Sequence, residues 1–253
     1  MADKSGWQFE VVFAGSVAKR EGERNEDHYA VDEERLRFAL ADGASVSYDP
    51  ATWAALLCEK YIGIPFVDAS WIDEAVNSYN LASDRESLPW MKQAAFDQGS
   101  FASLLGLSIN VETEQIDVTA FGDSNVLIMM DGVVIKAFPI SNAEDFSRSP
   151  DLLSTVGIEN AYLTEDAISA SKWTFDLTTA VDEDKVAILM ATDALAAWVM
   201  GSDTDARLNA LFEITEKDRF ARLVRQSRSD GTLKTDDTTM ITIRIRRDLP
   251  AKY

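Results

Sequence analysis

Apolar runs rich in β-branched and aromatic residues recur along this chain, and an aspartate stands where several of them stop or are about to start. The run ending at Ala41 meets Asp42-Gly43, the run ending at Phe121 meets Gly122-Asp123-Ser124, and the run from Val186 ends at Thr192-Asp193. Asp236-Asp237 precedes the run from Thr238 to Ile245, and Asp27 stands immediately before His28. An ionised carboxylate inside such a run would be desolvated at high cost, whereas at a strand end it can reach water or a cation. A single Asp or Asp-Gly in this position is ordinarily a turn, because both residues suit turn backbones. Asp131-Gly132, between two apolar runs, reads as such a hairpin with no chemistry.

The periodicity predicts strands over 7–15, 28–32, 36–41, 101–112, 115–121, 125–130, 133–138, 173–177, 186–191 and 238–246. The stretch 186–191 is apolar at every position, as for a strand covered on both faces. The stretch 238–246 alternates, as for a half-exposed strand near a sheet edge. Helices are expected over 50–61, 71–83, 89–96, 194–200, 205–212 and 217–227, the first capped by Asp49 with Pro50 at its first position.

With 253 residues, 46% of them apolar, and no repeat or Pro/Gly-rich linker, the chain reads as a single domain, 1–253. No apolar run reaches the roughly 18 residues of a membrane span and the amino terminus has no hydrophobic signal core, so a cytoplasmic location with no membrane partner is expected. A net charge of −19 argues against nucleic acid, whose affinity comes from Lys and Arg releasing counterions. Cys58, the single cysteine, lies on the first expected helix beside Leu57 and reads as core filler. Trp53, Trp71, Trp90, Trp173 and Trp198 are dispersed and read as packing residues.

The ordered set Asn25-Glu26-Asp27, Asp42-Gly43, Gly122-Asp123-Ser124, Thr192-Asp193 and Asp236-Asp237-x-Thr239 resembles the protein phosphatase 2C family, of bacterial type, over nearly the whole chain. The resemblance implies an α+β fold, a four-layer α-β-β-α sandwich of two antiparallel sheets flanked by helices. It also implies metal-dependent hydrolysis of phosphoserine and phosphothreonine in proteins by a water bridging two divalent cations, Mn²⁺ or Mg²⁺. Such hard ions suit oxygen donors. Carried over, Asp42 would bridge both ions, Asp193 and Asp236 would complete the first site, and the Gly43 carbonyl would bind the second. Asp27, and Glu26 through water, would finish the cluster, while Asp123 with Asp193 would hold a possible third ion. Asp42 and Asp193 are thus the expected catalytic pair, and a phosphorylated protein and a cognate Ser/Thr kinase the expected partners. Asp237 is expected to support the loop.

Several positions depart from the family pattern. The arginine that grips phosphate would stand at Gly22, leaving its neighbours Arg20 and Arg24 as candidates for that role or as loop cations. Ala194 replaces the usual glycine after the Thr-Asp motif, and Ala44 stands where some members carry a histidine. His28 is expected on the strand face opposite Asp27, in a structural role. The polar segment 139–168 falls where the family carries a mobile flap beside the active site. These departures keep two other readings open: a pseudophosphatase or signalling module that binds phosphoprotein without turnover, and an interaction protein holding Ca²⁺ for structure alone.

Overall fold

The structure, a computed structural model, describes residues 6–83, 85–180 and 185–247. Two five-stranded antiparallel sheets pack face to face. In the first, β1 (Trp7–Val17), β12 (Thr238–Arg247), β11 (Val186–Ala191), β7 (Asn125–Met130) and β8 (Val133–Phe138) lie side by side in that order. In the second the order is β10 (Lys172–Asp176), β6 (Gln115–Phe121), β5 (Leu104–Asn110), β3 (Arg37–Ala41) and β2 (His28–Asp32). Helices α1 (Pro50–Gly63) and α2 (Ala69–Ala82) belong to the layer outside the second sheet, and α5 (Asp193–Gly201), α6 (Thr204–Phe212) and α7 (Lys217–Ser229) to the layer outside the first. The expected α-β-β-α sandwich is what forms. Among the described residues no helix is long and apolar enough to cross a membrane.

Three apolar layers follow from strand alternation. Phe38, Leu40, Leu105, Leu107, Ile128, Ile188, Ile241 and Ile243 fill the space between the sheets. Trp53, Leu57, Cys58 and Tyr61 of α1 pack with Ala39, Ala41 and Leu104 on the outer face of the second sheet. Leu195, Leu211, Phe220 and Val224 pack with Phe13, Leu127 and Leu189 on the outer face of the first. Burial of these side chains is the main favourable term holding the layers together. Cys58 is fully buried, as expected of core filler.

Local chemistry sets the element ends. Asp49 accepts from the Thr52 amide and Pro50 opens α1, while Asp68 accepts from the Trp71 amide at 2.8 Å and opens α2. Asp131 and Gly132 both have positive φ, 50° and 81°, the geometry of a tight hairpin between β7 and β8.

Three expectations are corrected. The strand foreseen over 101–112 breaks at Ser103, whose amide donates to the Asp42 carbonyl at 2.8 Å, leaving β4 (Phe101–Ala102) to pair with β9 (Leu153–Ser154). β12 does lie next to the edge strand β1, but it is buried on both faces and not half-exposed. Its alternation separates two buried faces, with Ile241, Ile243 and Ile245 toward the other sheet and Met240 toward the helices. Trp90 is not packed: it is 77% exposed at the start of α3 (Trp90–Gln98), a helix with no buried residue.

The segment 139–168 holds a short 3-10 turn at Ala143–Ser147, then β9, a second 3-10 turn at Gly157–Asn160 and the start of α4 (Glu165–Ala170). It is anchored at both helical layers, Phe146 packing on one side and Leu153 and Ile168 on the other. The Trp53 indole donates to the Leu153 carbonyl at 2.8 Å.

Helix α1 comes close to the second sheet at Gly106, where a Cβ would stand 2.2 Å from the Tyr61 ring. Gly106→Ala should therefore destabilise the protein by about 1–3 kcal/mol through overpacking. Urea unfolding should show a lower midpoint at unchanged slope; an unchanged midpoint would mean that the Tyr61 ring is free to move aside.

Candidate functional site

Strand pairing carries the aspartates to one end of the sandwich. His28 pairs with Ala41, so Asp27 just before β2 lies beside Asp42 just after β3. Leu40 pairs with Leu105 and Leu104 with Phe121, which brings the end of β6 and Asp123 to the same edge. In the other sheet Ala191 pairs with Met240 and Val17 with Thr238, so Asp193, Asp236 and the chain leaving β1 also meet. The fields of Asp27, Asp193, Asp123 and Asp236 all act on Asp42.

Asp27 is the most deeply placed. Its Oδ2 accepts from Thr239 Oγ1 at 2.7 Å and Thr192 Oγ1 at 3.1 Å, hydroxyls at the ends of the adjacent strands β12 and β11. The Thr239 amide in turn donates to Thr192 Oγ1 at 3.0 Å. Asp27 Oδ1 is buried and has no hydrogen-bond partner among the described residues. A lone carboxylate oxygen buried in this way is costly unless a cation or proton meets it. Burial and the charges of Asp237 and Asp193 push the Asp27 carboxyl up to about 8, against the pull of its two hydroxyl donors. Burial first, and then its four acidic neighbours, hold Asp42 well above the usual carboxylate range. Asp123 is pushed up to about 6, chiefly by burial and then by Asp193.

Backbone contacts aim these groups. The Asp42 amide donates to Ser103 Oγ at 2.9 Å, and that hydroxyl meets Ser124 Oγ at 2.7 Å, tying the end of β3 to the turn after Asp123. Gly43 allows close passage, since a Cβ there would stand 2.7 Å from the Glu26 carbonyl oxygen and 2.8 Å from Pro50 Cβ. Asp193 lies in the first turn of α5, where the helix dipole favours an anion. Asp237, buried, accepts the Lys19 and Glu26 amides at 2.6 Å each, one on either carboxylate oxygen, and so supports the loop as expected.

Three cations that the motifs did not point to complete the site. Lys19 Nζ lies 3.0 Å from Glu26 Oε2 and 3.0 Å from Ser45 Oγ. Lys234 Nζ lies 3.1 Å from Asp193 Oδ2 and 2.8 Å from Asp236 Oδ2. Burial works against the Lys234 charge, but the two carboxylates more than compensate and hold its pKa above the usual value. Arg228 donates to the carbonyls of Ala18 at 2.8 Å and Asp236, and to Thr238 Oγ1 at 2.9 Å, joining the chain after β1 to the chain before β12. No motif or periodicity in the sequence singles out any of the three. Arg20 and Arg24 have partners elsewhere: Arg20 meets Glu23 at 3.1 Å, and Arg24 meets Asp49 at 2.9 Å and Thr52 at 3.0 Å. His28 faces Glu59 at 3.9 Å, away from Asp27.

The donor set, carboxylate oxygens with a buried free oxygen on Asp27, fits hard divalent cations. Among the described residues, no three acidic, thiol or imidazole side chains converge in coordinating geometry. Lys234 engages Asp193 and Asp236, and the Thr192 and Thr239 hydroxyls engage one oxygen of Asp27. Beside the site a groove of about 650 Å³ is lined by Arg24, Val46, Tyr48, Asp49, Met91 and Phe101. Leu152, in segment 139–168, lies 3.0 Å from where a Gly122 Cβ would stand, next to Asp123.

No family model matches the sequence, and no curated protein matches it. Solved structures do match in fold. The photosystem II phosphatase PBCP superposes with a TM-score of 0.56 at 18% identity, covering 96% of this chain and 100% of its own. The catalytic domain of the serine/threonine protein phosphatase PstP, in complex with two manganese ions, gives 0.56 at 18%, covering 95% and 98%. The PPM Ser-Thr phosphatase MsPP from Mycobacterium smegmatis gives 0.51 at 16%, covering 92% and 98%. The fold of this chain is the fold of the PPM serine/threonine phosphatases, the protein phosphatase 2C architecture that its ordered motifs resemble.

The raised carboxyls have a consequence for stability. With cations removed, the folded chain retains protons on Asp27, Asp42 and Asp123 that the unfolded chain releases near pH 4. Their contribution is complete below that range; that of Asp123 is lost as pH rises through about 6 and that of Asp27 as it rises through about 8. In chelator the melting midpoint should fall over this window, and Asp27→Asn should flatten the upper part of the fall. A flat wild-type profile would contradict the crowding.

Proposed function

We propose that this chain is a metal-dependent phosphatase acting on phosphoserine and phosphothreonine in proteins. The observation that carries the reading is that strand pairing brings Asp27, Asp42, Asp123, Asp193 and Asp236 to one end of the sandwich, where Asp42 feels the charges of the other four and one oxygen of Asp27 is buried with no partner among the described residues. Asp42, Asp193 and Asp236, with the Gly43 carbonyl and Asp27, would hold two Mn²⁺ or Mg²⁺ ions, and Asp123 with Asp193 a possible third. Ions bound there would supply Lewis acidity and lower the pKa of a water between them, which is what attack on phosphorus requires.

The chain's own residues set the stage for that chemistry. Asp42 and Asp193 gather charge from opposite sheets, and Asp42, crowded by like charges, is relieved when positive charge enters. Thr192 and Thr239 lock one oxygen of Asp27 and leave the other as a donor. Asp237 fixes the loop that carries Glu26 and Asp27. The neighbouring groove, part apolar and part charged, gives room for residues flanking a phosphorylated side chain. The partners are then a phosphoprotein and the kinase that makes it, in the cytoplasm.

A second reading has its own support. Gly22 replaces the phosphate-gripping arginine, Arg20 and Arg24 are engaged elsewhere, and Lys234 sits on two of the ligands. These features fit a pseudophosphatase that binds phosphoprotein without turnover. Hydrolysis of p-nitrophenyl phosphate and of a phosphothreonine peptide with Mn²⁺, against a chelator control and Asp193→Asn, decides between the two. The phosphatase reading expects metal-dependent turnover that Asp193→Asn lowers on the order of 100-fold or more. Folded, Mn²⁺-binding protein with no turnover would establish the second reading.

A further inference from the structure

Lys234 occupies a position that nothing in the motifs prepares for. It stands between α7 and β12, and its side chain is 62% exposed, yet its ammonium enters the carboxylate cluster and bridges Asp193 Oδ2 and Asp236 Oδ2 at 3.1 and 2.8 Å. Asp193 follows β11 and Asp236 precedes β12, and the pairing of these adjacent strands brings the two carboxylates together. The other two cations of the site behave differently. Lys19 pairs with Glu26 and Ser45, and the contacts of Arg228 are with carbonyl oxygens and a threonine hydroxyl. Only Lys234 among these three sits on the two aspartates proposed to complete the first cation position.

We propose that Lys234 is a resident counter-ion filling the place of a divalent cation between Asp193 and Asp236, so that metal binding is an exchange in which the ion expels the ammonium. The inference rests on the cation site of the proposed function. An ammonium and a divalent ion compete for the same oxygens and repel at contact distance, so the two states exclude one another. Lysine suits the role, being a compact, strongly hydrated charge on a flexible stem that returns to water readily. The unpartnered Asp27 Oδ1 independently marks the cluster as short of positive charge even with Lys234 in place.

The exchange is tested on the full chain by titrating Mn²⁺ calorimetrically into wild type, Lys234→Met and Lys234→Arg, with melting in chelator and in excess Mn²⁺ alongside. Removing the competing charge should tighten Mn²⁺ binding roughly tenfold or more, while Lys234→Arg stays within about threefold of wild type. Lys234→Met should also melt lower in chelator and gain more from Mn²⁺ than wild type does. Equal or weaker binding by Lys234→Met, with wild type binding normally, overturns the exchange and leaves the cation site standing. Absence of Mn²⁺ binding in all three overturns the cation site and the exchange together.

Discussion

Like charges crowded at one end of the sandwich are the constraint on which the rest of the site depends. Asp42 experiences Asp27, Asp193, Asp123 and Asp236 together, and Asp27 also experiences Asp237. Such a set is stable only where covalent chain, hydrogen bonds and cations hold it against repulsion. The chain's part is the carriage of each aspartate on a strand end, with the backbone ladders of the two antiparallel sheets setting which ends meet. The hydrogen-bonded part is the pair of threonines on Asp27 and the two amides on Asp237, at 2.6 Å each. The cationic part is Lys19, Lys234 and Arg228. Asp237 adds to the repulsion on Asp27 while fixing its loop, a trade that makes sense only if positioning matters more there than electrostatic comfort.

Much of the fold was legible because its signals are local. Strands bounded by Asp-Gly turns and a helix opened by Asp49-Pro50 depend on residues adjacent in sequence, and the boundaries of β2, β6, β7, β8 and β11 match the periodicity. The errors came from tertiary context. The alternation in β12 distinguishes two buried environments, the space between the sheets and the space beneath the helices, and hydropathy alone cannot tell a helix-covered threonine face from a wet one. The break at Ser103 arises because its amide and hydroxyl are taken by Asp42, a contact no local pattern announces. Trp90 lies on a helix that has no fully buried residue and packs on the core through Phe96, so its size was no guide to its packing.

The site divides along the same line. Its aspartates stand at strand ends and could be read from position, whereas its cations could not, because a lysine or arginine on an acidic surface carries no periodic signal. Arg20 and Arg24 drew attention by sitting near Gly22, yet each is engaged by a nearby acid, Glu23 and Asp49. Lys19 and Lys234 become recognisable only when pairing brings the end of β1 and the start of β12 alongside Glu26 and Asp193.

The chemistry of the three site cations then separates fixed parts from exchangeable ones. Arg228 spreads its planar fork over carbonyls on two chain segments, an arrangement that pins backbone and leaves the carboxylates free. Lysine ammoniums are point charges that give up one anionic partner for another, or for water, at low geometric cost. The site therefore combines a floor of Asp27, Thr192, Thr239, Asp237 and Arg228, tied together by hydrogen bonds, with an outer pair of carboxylates, Asp193 and Asp236, whose positive partner is the ammonium of Lys234. Crowding several like charges requires such a division: the floor keeps the strand ends in register, and the lysine charge lowers the repulsion between them.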